Sequence, residues 1–391
     1  MKVLLRAPLL TSSGYGIHSR QVFNWLYNRE DIELAVECLQ WGSTSWILDT
    51  ERDNGTIKKI MECSKPIEKG TYDVSFQIQL PDEWDTSLAK KNIGITAAVE
   101  TDKCNPDWID KANQMDKIIV PSTFTKNVMK RSGMLKKPIY VVPEAFNSKI
   151  TNNSAIGKCL SDERFKQIDT SWNLLIVGQL TSQNQNEDRK NLINTIKWSC
   201  DALKDKKDAG IVIKTNFGKA TTLDKKITID FLKNVIPQIR KKDFPKIHLI
   251  HGNLKQEEMA ALYSHPKIKA FAIATRGEGY GLPLIESAAS GLPIITTNWS
   301  GHLEFLDREN FYPVDYELVN IPESKIDNRI FVPNTRWAEP SEKSFISQVN
   351  NVYKDYNSAK TKAKKMKKHI MHNFNAAAIN KKYNKILNDG F

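Results

Sequence analysis

The stretch RGEGYGLPLIESAASG, residues 276–291, decides how the chain is read. It follows one apolar run, AFAIAT (270–275), and precedes another, LPIITT (292–297). Short apolar runs separated by one helix-length segment are the pattern of parallel strands joined by helical crossovers. Gly277, Gly279 and Gly281 alternate through the loop, where glycine lets backbone N–H groups come close to a ligand. LPLIESAAS then reads as a helix, and its first turn carries a partial positive charge suited to phosphate. Two acids stand in this setting. Glu278 sits in the loop, and Glu286 lies four residues inside the helix, on the first-turn side expected to face a cleft.

Working outward, the same alternation occurs twice. From residue 172 it reads strand WNLLIVG, helix RKNLINTIKWSCDAL (189–203), strand IVIKTN and helix FLKNVIPQIRK (231–241). Strand KIHLIHG, helix QEEMAALYS, and the run through the glycine loop follow. The N-terminal half reads strand KVLLRA, then a helix over 12–28 with Ser12 or Ser13 as cap, then strand IELAVECL. YDVSFQIQL, KNIGITAAV, KIIVPS and PIYVVPEAF are further strands. Asn105 with Pro106 starts one helix, and Ser122 and Gly133 bound another. The polar stretch 147–170 reads as the link between two domains. The expectation is two Rossmann-like parallel-sheet α/β domains, residues 1–160 and 161–372. Ligands in such sheets sit at the carboxyl ends of the strands, here in an interdomain cleft.

Composition narrows the class. A chain of 391 residues is too long for one ordinary core. No apolar run approaches a membrane span. The N-terminal MKVLLRAPLL is interrupted by Arg6 and Pro8, so it reads as a first strand and not a signal peptide. Five scattered cysteines without C-x-x-C spacing argue against a disulfide framework or zinc site and for a reducing cytoplasm. The net charge of +12 is concentrated in part in the lysine run at 360–368. That run reads as a solvated helix face or as a contact with an anionic surface.

A carboxylate does not bind phosphate, but it accepts paired hydrogen bonds from vicinal hydroxyls such as those of a ribose. A phosphate-binding loop with two such acids fits a nucleotide-sugar. At this point the stretch resembles the E-x7-E signature of retaining GT-B glycosyltransferases of the family 4 (group 1) type. The segments AVETDKCNPDWIDKANQMDKIIVPSTFTKNVMKRSG, YVVPEAFN and GLPIITTNWSGHLEFL are similar to others of that family, so the resemblance covers both halves.

The resemblance implies roles. Glu286 would hold the ribose, and Glu278 would lie near the donor sugar hydroxyls. Gly279, Tyr280, Gly281 and Leu282 would offer backbone contacts to sugar and diphosphate. Arg189 and Lys190 would neutralise the diphosphate, Gly16 would close over it, and Leu254 would flank the base. The segment 373–391 would be the final helix that crosses back to the first domain. Two positions depart from the family pattern. Gln179 stands where an arginine is common, and Glu100 stands where a histidine is common, with His18 as its rival. Glu100 reads equally well as a solvated loop acid, Lys214 faces either phosphates or solvent, and His302 has no assigned role. Arg189 and Lys190, read as first-turn residues of a helix, would be unfavourable there without an anion.

The implied activity is retaining transfer of a sugar from a UDP-, GDP- or ADP-sugar to an acceptor hydroxyl, without a metal. Surface polysaccharide or glycolipid synthesis is the expected setting, at a cytoplasmic site peripheral to the inner membrane face. The expected partners are the donor, a glycan or glycolipid acceptor and an anionic membrane surface. Glycosylation of hydroxymethylated bases in DNA is the competing acceptor class. A non-catalytic nucleotide- or glycan-binding protein is the alternative of another kind. An NAD-dependent oxidoreductase fits poorly, because GYGIHS has Ser19 in place of a third glycine.

Overall fold

The computed structural model describes residues 1–388. The chain divides into two compact units. The first comprises Met1–Ala145, Ile326–Thr335 and the segment from Ala376, and the second comprises Phe146–Lys325 and Arg336–Asn375.

The first unit is built on a six-stranded parallel sheet of β1 (Lys2–Ala7), β2 (Glu33–Cys38), β3 (Tyr72–Ile78), β4 (Ala89–Ile95), β5 (Lys117–Val120) and β6 (Ile139–Val141). Its spatial order is β2-β1-β3-β4-β5-β6. The helices begin where the sequence marks them. Ser13 caps Gly14–Tyr27, Asn105 caps Pro106–Ala112 with proline in the first turn, and Ser122 caps Thr123–Ser132. The final described helix, Ala376–Asn388, sends Ile379, Tyr383, Ile386 and Leu387 into the core formed by Val3, Leu5, Phe23 and Phe76.

The second unit repeats the plan with β7 (Trp172–Val177), β8 (Ala209–Thr215), β9 (Lys246–His251), β10 (Ile268–Ile273), β11 (Ile294–Thr297) and β12 (Tyr312–Val314), in the order β12-β11-β10-β7-β8-β9. All its pairings are parallel. Every residue of β7 is buried, which explains its unbroken apolar run. An antiparallel ribbon, β13 (Tyr316–Asn320) with β14 (Arg336–Pro340), lies outside the sheet.

Several expectations are corrected. The stretch 147–170 is not an irregular linker. It folds as a 3-10 turn at Ser148–Thr151 and helices Asn153–Leu160 and Glu163–Lys166, all in the second unit, so the boundary falls after Ala145. Its Asn147, Asn152 and Asp162 read as loop formers but act as caps, and only Ile150, Ile156, Phe165 and Ile168 are buried apolar anchors. The helix expected at 231–241 runs over Thr222–Ile239, because its first half buries the polar Asp224 and Thr228 and shows no apolar period. Residues 326–335 belong to the first unit: Arg329 pairs with Asp82 and Glu83, and the Asn105 amide donates to the Asn328 and Arg329 carbonyls at 3.2 Å. The crossing segment expected at 373–391 joins the first unit from Ala376, and its last three residues lie outside those described.

Candidate active site

In the second sheet the chain runs from β7 through β8 to β9 in one direction and from β10 through β11 to β12 in the other. β7 and β10 are neighbours whose following connections diverge. The crevice beyond the carboxyl ends of strands at such a reversal is where open α/β sheets bind ligands. Two loops fill it, residues 178–191 after β7 and 274–281 after β10.

The first loop ends in a rigid turn. Asp188 is fully buried and accepts from the Thr181 hydroxyl, from the Lys190 amide at 3.2 Å and from the Leu192 amide at 2.8 Å. Asn191 takes a left-handed conformation (φ 53°) and donates through its side chain to the Ala274 carbonyl at 2.9 Å. The following helix therefore starts at Leu192. Arg189 and Lys190 are not first-turn helical residues, as the sequence implied. They project from the turn that precedes the helix, because Asp188 already caps it.

Their positions are set by the glycine loop. Lys190 Nζ donates to both Glu278 carboxylate oxygens, at 2.7 and 2.6 Å. Arg189 Nη1 lies 3.7 Å from Glu278 and donates to the Gly277 carbonyl at 2.6 Å. Thr275 Oγ1 donates to Glu278 at 3.1 Å. Burial alone would raise the Glu278 pKa, but Lys190 and then Arg189 outweigh it and hold the carboxyl below its usual value.

The loop is braced from β11. The Glu278 amide donates to Ser300 Oγ at 2.9 Å, and the Gly301 amide donates to the Glu278 carbonyl at 2.8 Å. Ser300 sits at φ 92°, a conformation costly for a residue with a side chain. A Cβ on Gly301 would lie 2.0 Å from the Gly279 carbonyl oxygen, so only glycine fits. His302 is fully buried, with Nε2 2.7 Å from the Thr297 carbonyl and Nδ1 3.4 Å from Ser300 Oγ. The carbonyl requires Nε2 to donate, and burial keeps the ring below its ordinary pKa. His302 thus supports the serine that holds Glu278.

Gly281 caps the helix Leu282–Ser290 at φ 104°. Tyr280 packs its ring edge-on against Phe305 at 5.1 Å, so its side chain faces the core and its backbone faces the loop. Leu282 and Leu254 are buried, Leu254 in the turn after β9 that opens at Gly252 (φ 99°). Glu286 is 8 % exposed, about one turn into the helix. Burial raises its pKa to about 7, against the opposing pull of the nearby Tyr263 hydroxyl and Lys214. Lys214, at the end of β8, is itself pushed down to about 8 by burial, with Glu286 partly compensating. Lys214 is half-buried at the end of β8.

The structure places Gly16 and Glu100 in the first unit. Gly16 lies in the first turn after β1, where a Cβ would meet the Thr11 carbonyl oxygen at 2.2 Å. Glu100 is half-buried in the loop beyond β4, close enough to Tyr15 to help raise its pKa, which burial raises most. His18 is buried with Nε2 3.0 Å from the Tyr383 hydroxyl, and burial holds its pKa near about 4. Its Nδ1 lies 4.0 Å from the Glu144 carboxylate.

Arg276, first in the quoted stretch, escaped the sequence reading. It is 2 % exposed, pairs with Glu339 at 2.7 and 3.0 Å, and donates to the Gln185 and Asp188 carbonyls at 2.7 Å. Its guanidinium lies 5.5 Å from the Trp337 ring centroid. It ties the two loops to β14. The signal that would have found it is the arginine's place directly after a buried strand, where a charge demands fixed partners.

The fold has counterparts among known proteins. Residues 257–380 match the model of a family described as family 4 glycosyltransferase in conflict systems. No curated protein matches the chain by sequence. Among solved structures, HepE of Anabaena in complex with UDP and glucose is similar with a TM-score of 0.66 and 11 % identity, covering 100 % of both chains. A glycosyltransferase from Rickettsia africae matches with 0.67 and 13 %, over 99 % of this chain and 98 % of that one. Sucrose-phosphate synthase from Thermosynechococcus elongatus matches with 0.63 and 13 %, over 100 % and 98 %. The two six-stranded parallel sheets have the fold of the GT-B glycosyltransferases, and within the second unit the chain resembles the family 4 type over the matched segment.

Proposed function

We propose that the protein transfers a sugar from a nucleotide diphosphate-sugar to an acceptor hydroxyl, with retention at the anomeric carbon. The observation that carries this reading is the convergence of Lys190 and Arg189 on Glu278 at the strand-order reversal, with Glu286 further along the same helix. HepE, similar in fold, has been solved with UDP-glucose.

The residues divide the work by charge. Glu286 accepts from the ribose hydroxyls and Leu254 flanks the base. Arg189 and Lys190 meet the diphosphate, assisted by the N-terminus of the helix Leu282–Ser290, and no metal is assigned a part. Glu278 holds both cations in place before the donor arrives and then accepts from the sugar hydroxyls. Gly279, Tyr280, Gly281 and Leu282 present backbone to the sugar and diphosphate. Gly16 and Glu100 contribute from the first unit, Gly16 against phosphate and Glu100 against the sugar.

The bond from the anomeric carbon to the diphosphate oxygen breaks, and the bond to the acceptor oxygen forms on the same face. The acceptor proton passes to the departing phosphate oxygen. The enzyme supplies position and a preorganised cationic field for the charge that develops on the leaving group. The acceptor class is a glycan or glycolipid, reached in the cytoplasm at the inner membrane face. A hydroxymethylated base in DNA is the competing acceptor, in keeping with the net charge of +12.

The test is thermal stabilisation by a panel of UDP-, GDP- and ADP-sugars, with Glu286→Ala alongside. One nucleotide should stabilise the wild type and not the variant. Stabilisation of neither by any donor at millimolar concentration would reject the site. Nuclear magnetic resonance of the first-formed product reads the anomeric configuration, and inversion would refute the mechanism while leaving the donor site intact.

A further inference from the structure

We infer a second anion site in the second unit, at the end of the sheet away from Glu278: a pocket lined by Lys269, Lys360 and Lys367 that takes a phosphate group. Lys269 stands near the amino end of β10, whereas the glycine loop follows its carboxyl end. A strand of this length separates the two by about 20 Å, so the pocket's lysines stand apart from Arg189 and Lys190, although Tyr263 lines the pocket and also approaches Glu286.

The pocket has a volume of about 550 Å³. Ile156, Ile268 and Leu292 line it beside polar residues, and no acidic residue is among the described residues that line it. This sets it apart from the protein's other lysines near strand ends. Lys246 pairs with Asp169 at 2.6 Å and Lys190 with Glu278 at 2.6 Å. Here three lysines line one pocket with no carboxylate among the described residues that line it, and their mutual repulsion favours entry of an anion.

The lysines are also positioned. Lys269 Nζ donates to the Pro266 carbonyl at 2.6 Å and lies 5.8 Å from the Tyr356 ring centroid. The Lys367 stem runs against the turn at Gly291 (φ 86°), its Cδ 3.3 Å from where a Cβ on that glycine would be. Lys360 and Lys367 are seven residues apart on the helix Tyr356–Asn373 and so share a face. Buried His265 lines the same pocket, and burial first, then Lys267 and Lys269, lower its pKa to about 4.

The shape selects among anions. Lys269, Lys360 and Lys367 line one concavity, so the pocket fits one compact, multiply charged group. A phosphate, with several acceptor oxygens for several ammonium donors, matches that arrangement. It belongs either to a free phosphorylated small molecule or to a lipid headgroup.

Calorimetric titration of the full chain with inorganic pyrophosphate tests this, together with cosedimentation on phosphatidylglycerol vesicles against phosphatidylcholine vesicles. Pyrophosphate should bind the Arg189→Ala/Lys190→Ala variant, in which the proposed donor site is disabled. Adding Lys360→Ala/Lys367→Ala to that variant should weaken binding about tenfold or more, and Lys360→Arg/Lys367→Arg should retain it. Circular dichroism confirms that each variant is folded. Pyrophosphate binding without vesicle preference identifies a free ligand. Vesicle binding that pyrophosphate competes away identifies a headgroup. Pyrophosphate binding that survives loss of Lys360 and Lys367, no binding at all, or binding of duplex DNA alone would each overturn the inference. None of these outcomes depends on the donor site being correct.

Discussion

Lys190 and Glu278 form a bidentate ion pair, 2.7 and 2.6 Å long, between a turn after β7 and the glycine loop after β10. The carboxylate is 6 % exposed, so removal of its partner leaves a charge in poor solvent. Lys190→Ala should cost about 3 kcal/mol of stability. Glu278→Gln on top of it should cost much less than its own single change, since the two act through one interaction. Urea denaturation of the four-member cycle measures this, and additive losses would mean that the pair is not coupled.

Glu286 gives a pH signature. Its pKa in the folded state is raised to about 7, so the folded state holds its proton more tightly than the unfolded chain does. The associated stability is therefore present below the ordinary carboxyl range and is lost as the pH rises through about 7. The amplitude is about 3 kcal/mol at ~1.4 kcal/mol per unit. Lys214, depressed to about 8, acts at the other end: its cost is present below that pH and disappears as the pH rises further. The difference in unfolding free energy between wild type and Glu286→Gln should shift against the wild type from pH 5 to 8. Parallel profiles would show that Glu286 ionises freely.

The same proton should govern nucleotide affinity. Ribose hydroxyls donate to an ionised Glu286, so the dissociation constant should fall about tenfold per pH unit below pH 7 and level off above it. Calorimetry with the stabilising nucleotide at pH 5.5 to 8 reads the slope. Glu286→Gln should remove that component, and an identical slope in the variant would assign it to the phosphates.

Gly301→Ala tests the brace beneath the loop. Its methyl would sit 2.0 Å from the Gly279 carbonyl oxygen, and the Gly301 amide is bonded to the Glu278 carbonyl. The loop must move, at a cost of about 2 kcal/mol or more, and nucleotide-induced stabilisation should vanish with it. Unchanged ligand stabilisation would mean that the loop's placement is not what the site needs.

The parts legible in the sequence are those whose signal is local. Unbroken apolar runs such as WNLLIV mark buried parallel strands, and Ser13, Asn105 and Ser122 cap the helices as their chemistry requires. The glycine loop with Glu278 and Glu286 was readable because glycine spacing and helix start occupy sixteen consecutive residues. What was not legible depends on distant partners. Asp188 caps a helix and thereby moves Arg189 and Lys190 out of it, Arg276 finds Glu339 sixty-three residues away, and His302 acts through Ser300. The helices within 147–170 were hidden because their few apolar anchors are spread among caps.

The path of the chain has a genetic consequence. It passes from the first unit to the second after Ala145, returns for Ile326–Thr335, leaves again, and comes back at Ala376. No single crossover between two related genes can exchange one unit intact, because each is spelled out in separated stretches of the reading frame. A chimaera joined only near residue 145 would inherit a foreign 326–335 segment and a foreign final helix within its first unit. Swapping donor and acceptor specificities between such genes therefore calls for coordinated replacement of three segments, and homologous recombination at one site would seldom deliver it.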